Sequence, residues 1–423
     1  MRDLTGGTAN AGQSGAGLGG ALRFDALALT SLIWFLAKFL RYAFPPLFGT
    51  FQETYGVSNT VVGSAFTALM LAYAAMQFPS GALADRFGSV RVITAGVLVA
   101  GVASLLVSLS SPFLLLVAAM LLVGVGTGAH KTVAVGLMST VYPERTGRAL
   151  GVLDTLGAFG GVAAPAAVVA LTVDGGLGWR ALFVGGAVAG GALAVAFARL
   201  VPRRLPNGDD EAERETPDGG LRAYLRLFDD RTFSLFVAVT VLYAFVYNGV
   251  VAFLPLYLTD AVGLSQSLAG LLYSGLFVVS LVQTVTGDLS DRVGRLPVMA
   301  ALLALSGGGL AGLLVLGAGA PVLVGAAVVA FGIGGHGYRP VRAAYLVTVI
   351  PDDVSGGTLG IVRTVIMAAG AVSPAVVGFL SDTFDFTVAF GLMVVVTTLA
   401  VGLLGVLAVQ TDESLLPGVD AER

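Results

Sequence analysis

Gly81-Ala-Leu-Ala-Asp85-Arg86-Phe-Gly88 recurs 206 residues later as Gly287-Asp-Leu-Ser-Asp291-Arg292-Val-Gly294. Gly, Leu, Asp, Arg and Gly keep their spacing in both copies. The register extends outward from there. Gln77 matches Gln283, and Gly126-Thr-Gly128-Ala-His130 matches Gly332-Ile-Gly334-Gly-His336, at the same shift. Leu150-Gly151-Val-Leu-Asp154-Thr155 matches Leu359-Gly360-Ile-Val-Arg363-Thr364 at a shift of 209, as Pro165 matches Pro374. Self-similarity over this length marks a duplicated structural unit.

The surroundings of these motifs are apolar. Of 423 residues, 56% are hydrophobic and 12% are charged, against roughly 25% charged in soluble domains. The mean hydropathy is +0.90. Lipid is the solvent that suits such a surface, and each crossing needs about 20 apolar residues. Twelve segments qualify, near 25–49, 59–80, 91–110, 113–138, 149–172, 180–200, 232–257, 265–286, 297–317, 321–345, 358–380 and 386–408. Residues 201–231 form the one long polar connection, carrying Asp209, Asp210, Glu211, Glu213 and Glu215 among arginines. The expected organisation is a disordered cytoplasmic tail (1–24), a six-helix bundle (25–200), a cytoplasmic linker (201–231), a second six-helix bundle (232–408) and a cytoplasmic tail (409–423). Cysteine is absent, which excludes disulfides and thiolate chemistry. The net charge of −3 implies no nucleic-acid partner.

Arginine sets the expected orientation. Arg86, Arg91, Arg145, Arg148, Arg292, Arg295 and the linker arginines fall on the face that holds both termini. Arg180 stands on the other, with Glu53, Asp174, Asp260, Asp382 and Asp385. Both termini are therefore expected inside, and the chain in the cell membrane.

A doubled G-x-L-x-D-R-x-G motif among twelve spans resembles the major facilitator superfamily over essentially the whole chain. The resemblance implies an all-α fold of two pseudo-symmetric bundles and a solute path between them. Its antiporter motif is matched only loosely by Gly157-Ala-Phe-Gly160-Gly161-Val-Ala-Ala-Pro165, where the proline is displaced.

In the doubled motif, an Asp at a helix end can face the positive N-terminus of a neighbouring helix, while the adjacent Arg pairs with a carboxylate. Contacts made in one conformation and broken in another constitute a gate. The expected gate residues are Gly81, Asp85, Arg86, Gly88, Gly287, Asp291, Arg292 and Gly294, with Asp154 and Arg363 at repeat-equivalent positions. Pseudo-symmetry suggests pairing Arg363 with Asp85, and Asp154 with Arg292. The bland alternative is a turn carrying positive-inside charge.

Charge at bilayer depth costs at least about 2.5–3.5 kcal/mol and is a functional signal by default. Both lysines of the chain, Lys38 and Lys131, and both histidines, His130 and His336, fall inside spans. Lys38 and Arg41 share a helical face at i, i+3, as do His336 and Arg339. Spans one, four, seven and ten line the cavity in the family resembled, and the seventh offers Tyr243, Tyr247 and Asn248. The expected substrate contacts are Lys38, Arg41, His130, Lys131, Tyr247, Asn248, His336 and Arg339. Arg342 lies nearer the inner mouth. These cations would attract a small anion, a carboxylate, phosphate ester or inorganic oxyanion, and Arg can clamp one bidentately. Structural ion pairs are the competing explanation, weakened by the shortage of acidic residues at equal depth. The histidines are read as hydrogen-bonding groups, with proton coupling as the alternative.

Gly124, Gly126 and Gly128 are expected to bare one helix face for close packing. Phe and Trp are spread through the spans and single out no position. No catalytic group, metal-ligand cluster, cofactor or ATP motif is apparent, so an enzyme is not expected. A coupling ion (H+ or Na+) or a counter-substrate would drive a monomer. The expected function is secondary transport of a small anion by alternating access. Its rivals are an exporter of hydrophobic compounds, a neutral-sugar importer using Gln77, Asn248 and Gln283, and a non-transporting sensor.

Overall fold

The computed structural model describes residues 25–172, 176–205, 227–349 and 355–411. The 1–24 tail, most of the 201–231 linker and most of the 409–423 tail lie outside them. Every described regular element is helical. Twelve spans are long and apolar enough to cross a membrane: α1 (Asp25–Tyr55), α2 (Asn59–Phe87), α3 (Ser89–Leu109), α4 (Phe113–Val141), α5 (Pro143–Thr172), α6 (Trp179–Arg204), α7 (Arg231–Ala261), α8 (Gln266–Val293), α9 (Arg295–Val315), α10 (Pro321–Val349), α11 (Arg363–Thr383) and α12 (Phe386–Gln410). Helix α11 begins earlier, at Ser355. Phe78, Leu114, Val315 and Val322 are each more than three-quarters exposed. Such a large apolar exterior suits lipid and not water.

The doubled motif is not a loop. Gly81 to Phe87 complete α2, and Gly88 alone turns the chain, at φ 84°. In the second copy Gly294 does the same, at φ 106°. Only glycine enters this region without steric cost. Each motif is thus a helix end plus a one-residue corner.

In the first bundle, α4 packs on α2 and α3, α1 on α5 and α6, and α3 on α6; in the second, α9 packs on α10 and α12, and α7 on α11 and α12. Small residues permit this closeness in lipid, where apolar burial drives little. The glycines of α4 serve two faces and not one. A Cβ on Gly124 or Gly128 would strike the α2 backbone at Leu69 or Tyr73, whereas one on Gly126 would strike α3 at Gly96 and Ala100. At about 100° per residue, i and i+2 point to opposite sides.

The bundles meet along α2 with α11 and along α5 with α8. The meeting points cluster at the end away from the linker, here called distal. Phe48 of α1 meets Phe253 of α7 edge-on at 5.2 Å, and a Cβ on Gly270 of α8 would collide with Val169 of α5. At the linker end, Asp85, Arg86, Asp291, Arg292 and Arg363 are exposed. The structure is closed distally and open toward the linker.

Candidate substrate site

Trp34, Lys38 and Arg41 follow one another on α1 at i, i+4, i+7, which stacks them on one face. Lys38 Nζ lies 5.3 Å from the Trp34 ring centroid and Arg41 Cζ 5.5 Å. From α4, Lys131 Nζ approaches the same ring at 5.5 Å, and His130 stacks on it at 5.8 Å and 26°. Arg41 also lies over Tyr73 of α2, at 3.8 Å, and its Nε donates to the Ala37 carbonyl at 3.2 Å. The indole edge seats against Gly157 of α5, where a Cβ would overlap it. Aromatic faces attract cations through the ring quadrupole. Unlike a carboxylate, they do so without cancelling the charge.

The second bundle builds a smaller version. Arg339 of α10 lies 4.4 Å from the Tyr247 ring centroid, and the Tyr247 hydroxyl is 3.2 Å from His336 Nε2. Tyr243 is fixed by Ser306 at 2.6 Å. Phe277 of α8 meets His336 at 6.1 Å and Tyr42 of α1 at 4.6 Å, so it bridges the bundles. Lys38 is in electrostatic range of Arg339 as well as of Arg41, Lys131 and Asp154. The two cation clusters therefore address one central region.

Of the expected contacts, Lys38, Arg41, His130 and Lys131 gather on Trp34, and His336 and Arg339 gather on Tyr247. Lys131 is ion-paired with Asp154 of α5, a residue expected at the gate opposite Arg292. Arg292 instead holds Asp288 at 2.8 Å, within its own helix. The pairing of Asp85 with Arg363 is likewise not seen among the described contacts, as befits bundles parted at that end. Asn248 donates to the Ala244 carbonyl at 2.8 Å and packs on Gly370 of α11. With Tyr247 facing α10, its neighbour is turned about 100° away. His130 is 2% exposed, with the Thr30 backbone nearby but neither ring nitrogen in good hydrogen-bond geometry.

Trp34, Tyr73, Tyr42 and Phe277 were missed. For Trp34 a signal existed, since it lies one turn before Lys38 on the charged face. Among the described residues no group of three His, Asp or Glu side chains could hold a metal. A cavity of about 380 Å³ lies at the distal end between α1, α5, α7 and α8, lined by Glu53, Thr259, Asp260 and Gln266 among others. It includes none of the cation cluster and has acidic groups on its wall.

A family model described as Major Facilitator Superfamily matches residues 30–282 and 238–422. A probable sulfoacetate transporter of Cupriavidus necator is 28% identical over 64% of this chain and 65% of its own length. A probable 4-methylmuconolactone transporter of Cupriavidus pinatubonensis is 27% identical over 63% of this chain and 62% of its own. The chain thus spans just under two thirds of the length of each. Among solved structures, a bacterial homologue of the human lysosomal transporter Spinster, in an inward-facing and unoccupied conformation, superposes with a TM-score of 0.76. That match has 17% identity and covers 93% of this chain and 98% of the other.

Proposed function

The chain belongs to the Major Facilitator Superfamily, and we propose that it is a secondary active transporter of a small organic anion working by alternating access. The observation that carries the anion is the way the central cations are held. Lys38, Arg41 and Arg339 rest on Trp34, Tyr73 and Tyr247, and none has an ion-pair partner among the described residues. Each cation is stabilised, yet its field stays available to a ligand. A carboxylate or sulfonate entering between the bundles would take guanidinium hydrogen bonds from Arg339 on one side and reach Lys38 on the other. Sulfoacetate, named for one relative, is an anion of this kind.

Positive-inside bias puts the linker end in the cytoplasm and the distal end outside. That arrangement makes the present state inward-open, in the cell membrane, with 201–231 joining two bundles of a monomer. Rocking about the site would part α2 from α11 and α5 from α8 at the distal end and bring the doubled motifs together at the other. A coupling ion or counter-substrate supplies the drive. The amides named for the neutral-sugar alternative are engaged by neighbouring helix groups or turned toward α11. Gln77 donates to the Gly128 carbonyl and accepts from Thr132, Gln283 donates to the Ser280 carbonyl, and Asn248 faces α11.

The test is ligand-induced thermal stabilisation of the purified protein against organic anions, neutral sugars and lipophilic cations. A ligand at 100 times its Kd stabilises the folded state by about 2.7 kcal/mol. One anion class is expected to raise the Tm of the parent and of neither Arg41→Ala nor Arg339→Ala. Stabilisation by neutral or cationic compounds alone, equal in all three proteins, would overturn the proposal.

A further inference from the structure

At the distal end, helix α2 starts without a cap of its own. Ser58 occupies the N-cap position in extended backbone, but its side chain makes no capping hydrogen bond. The first amides of a helix have no intrahelical partner, so a donor-rich end faces outward here. Asp382, near the end of α11 in the other bundle, fills the gap. Its Oδ1 accepts from Asn59 N–H at 3.0 Å and its Oδ2 from Thr60 N–H at 2.6 Å. The Ser58 and Thr60 hydroxyls face the same carboxylate. The Asn59 amide oxygen is engaged by Gln52 at 2.7 Å, which keeps that side chain from competing.

The neighbouring contacts show that this carboxylate sits on a close seam between the bundles. Pro374 lies inside α11, and the next amide, Ala375 N–H, donates across the interface to Thr67 Oγ1 at 3.0 Å. A Cβ on Gly63 would strike the Pro374 carbonyl, and one on Gly378 the Asn59 carbonyl. Backbone meets backbone along this stretch, so α2 and α11 cannot part at the distal end without pulling Asp382 off the α2 terminus.

We infer that Asp382 is a cross-bundle latch, a helix cap supplied in trans that stabilises the distally closed conformation and must be released for the distal end to open. In the closed state the negative charge lies against the positive end of the α2 dipole. In the open state the same amides face water, and Ser58, a residue type that caps well, stands ready to serve its own helix. The latch biases the conformational equilibrium whatever the cargo is, so it does not depend on the anion proposal.

Asp385 provides the control. Three residues further on, it caps its own helix, accepting from Val388 N–H at 2.8 Å, and crosses no interface. The chain lacks cysteine, so spin labels can be placed cleanly. Labels on Ser111→Cys and Ala318→Cys, exposed turns on opposite bundles at the distal end, report its opening by pulsed electron spin resonance in nanodiscs. Loss of one exposed cap and its dipole interaction changes an equilibrium by about three- to fivefold. Asp382→Asn is expected to raise the long-distance population by that factor, Asp382→Glu to restore most of the short-distance population, and Asp385→Asn to match the parent. An unchanged distribution in Asp382→Asn would overturn the latch. So would an equal shift in Asp385→Asn, which would mean general loosening of that end. If Asp382→Asn fails to fold, Asp382→Glu decides alone: a parent-like distribution supports a charge held at the α2 terminus, and a fully opened one contradicts it.

Discussion

The two bundles hold their cations differently. In the first, three cations and a histidine crowd one indole, and one of the cations, Lys131, is paired with Asp154. In the second, Arg339 rests on Tyr247 with no carboxylate near it among the described contacts. Both halves carry a histidine within a span at equivalent positions, but among the described contacts only the first half sets an acidic residue beside its cluster. The second half carries Arg363 at the position equivalent to Asp154. The bundles therefore contribute unequally to any anion between them. The second offers an uncompensated guanidinium, and the first offers Lys38 and Arg41 plus a lysine whose charge is already engaged.

The largest expected effect lies in the second bundle. Arg339→Ala removes the second bundle's uncompensated guanidinium and should weaken anion binding about 10- to 150-fold, since one charge-assisted pair is worth roughly 1.5–3 kcal/mol. Isothermal titration checks it, and Arg339→Lys should recover only part because lysine lacks the planar fork. Next comes the indole. Trp34→Leu removes the common face beneath three cations and should weaken anion binding about tenfold, from roughly 0.5–1 kcal/mol per cation–π contact. Trp34→Phe should lose less. If Trp34→Leu binds as the parent does, the ring is packing and does not set the two clusters apart.

Asp154→Asn tests the asymmetry itself. Freeing Lys131 should tighten anion binding by a few fold, about 0.2–1 kcal/mol for a pair whose carboxylate is 59% exposed. A weaker complex after this change would assign Asp154 to the binding geometry. The smallest effect on affinity is expected at Gly157. Gly157→Ala would press a methyl into the indole and cost about 1–3 kcal/mol of stability as overpacking, read as a lower Tm, with binding affected only as far as Trp34 shifts.

The number of spans and the repeat were legible because apolar length and register survive in a linear string. The charged face of α1 was legible for the same reason, since i, i+3 spacing is local. Three things were not. Trp34 looks like any aromatic residue in an apolar span until α4 and α5 are docked against it. The partner of Lys131 depends on the relative depth of α4 and α5, and no spacing along the chain encodes it; in this conformation Asp154 meets Lys131 and not the Arg292 that pseudo-symmetry suggests. The expected gate pairs join residues at the linker end, where the bundles are apart in this structure, and a motif's spacing carries no information on how far apart two bundles stand.

Solute uptake into proteoliposomes tests the central claim most directly. Vesicles of the parent and of Arg339→Ala would be compared for counterflow of labelled sulfoacetate and short carboxylates, with neutral sugars and lipophilic cations as competitors. The expected result is saturable uptake of at least one organic anion, insensitive to the neutral and cationic competitors and lost in Arg339→Ala. Uptake of a neutral or cationic solute that persists unchanged in Arg339→Ala would contradict an anion path between the two cation clusters.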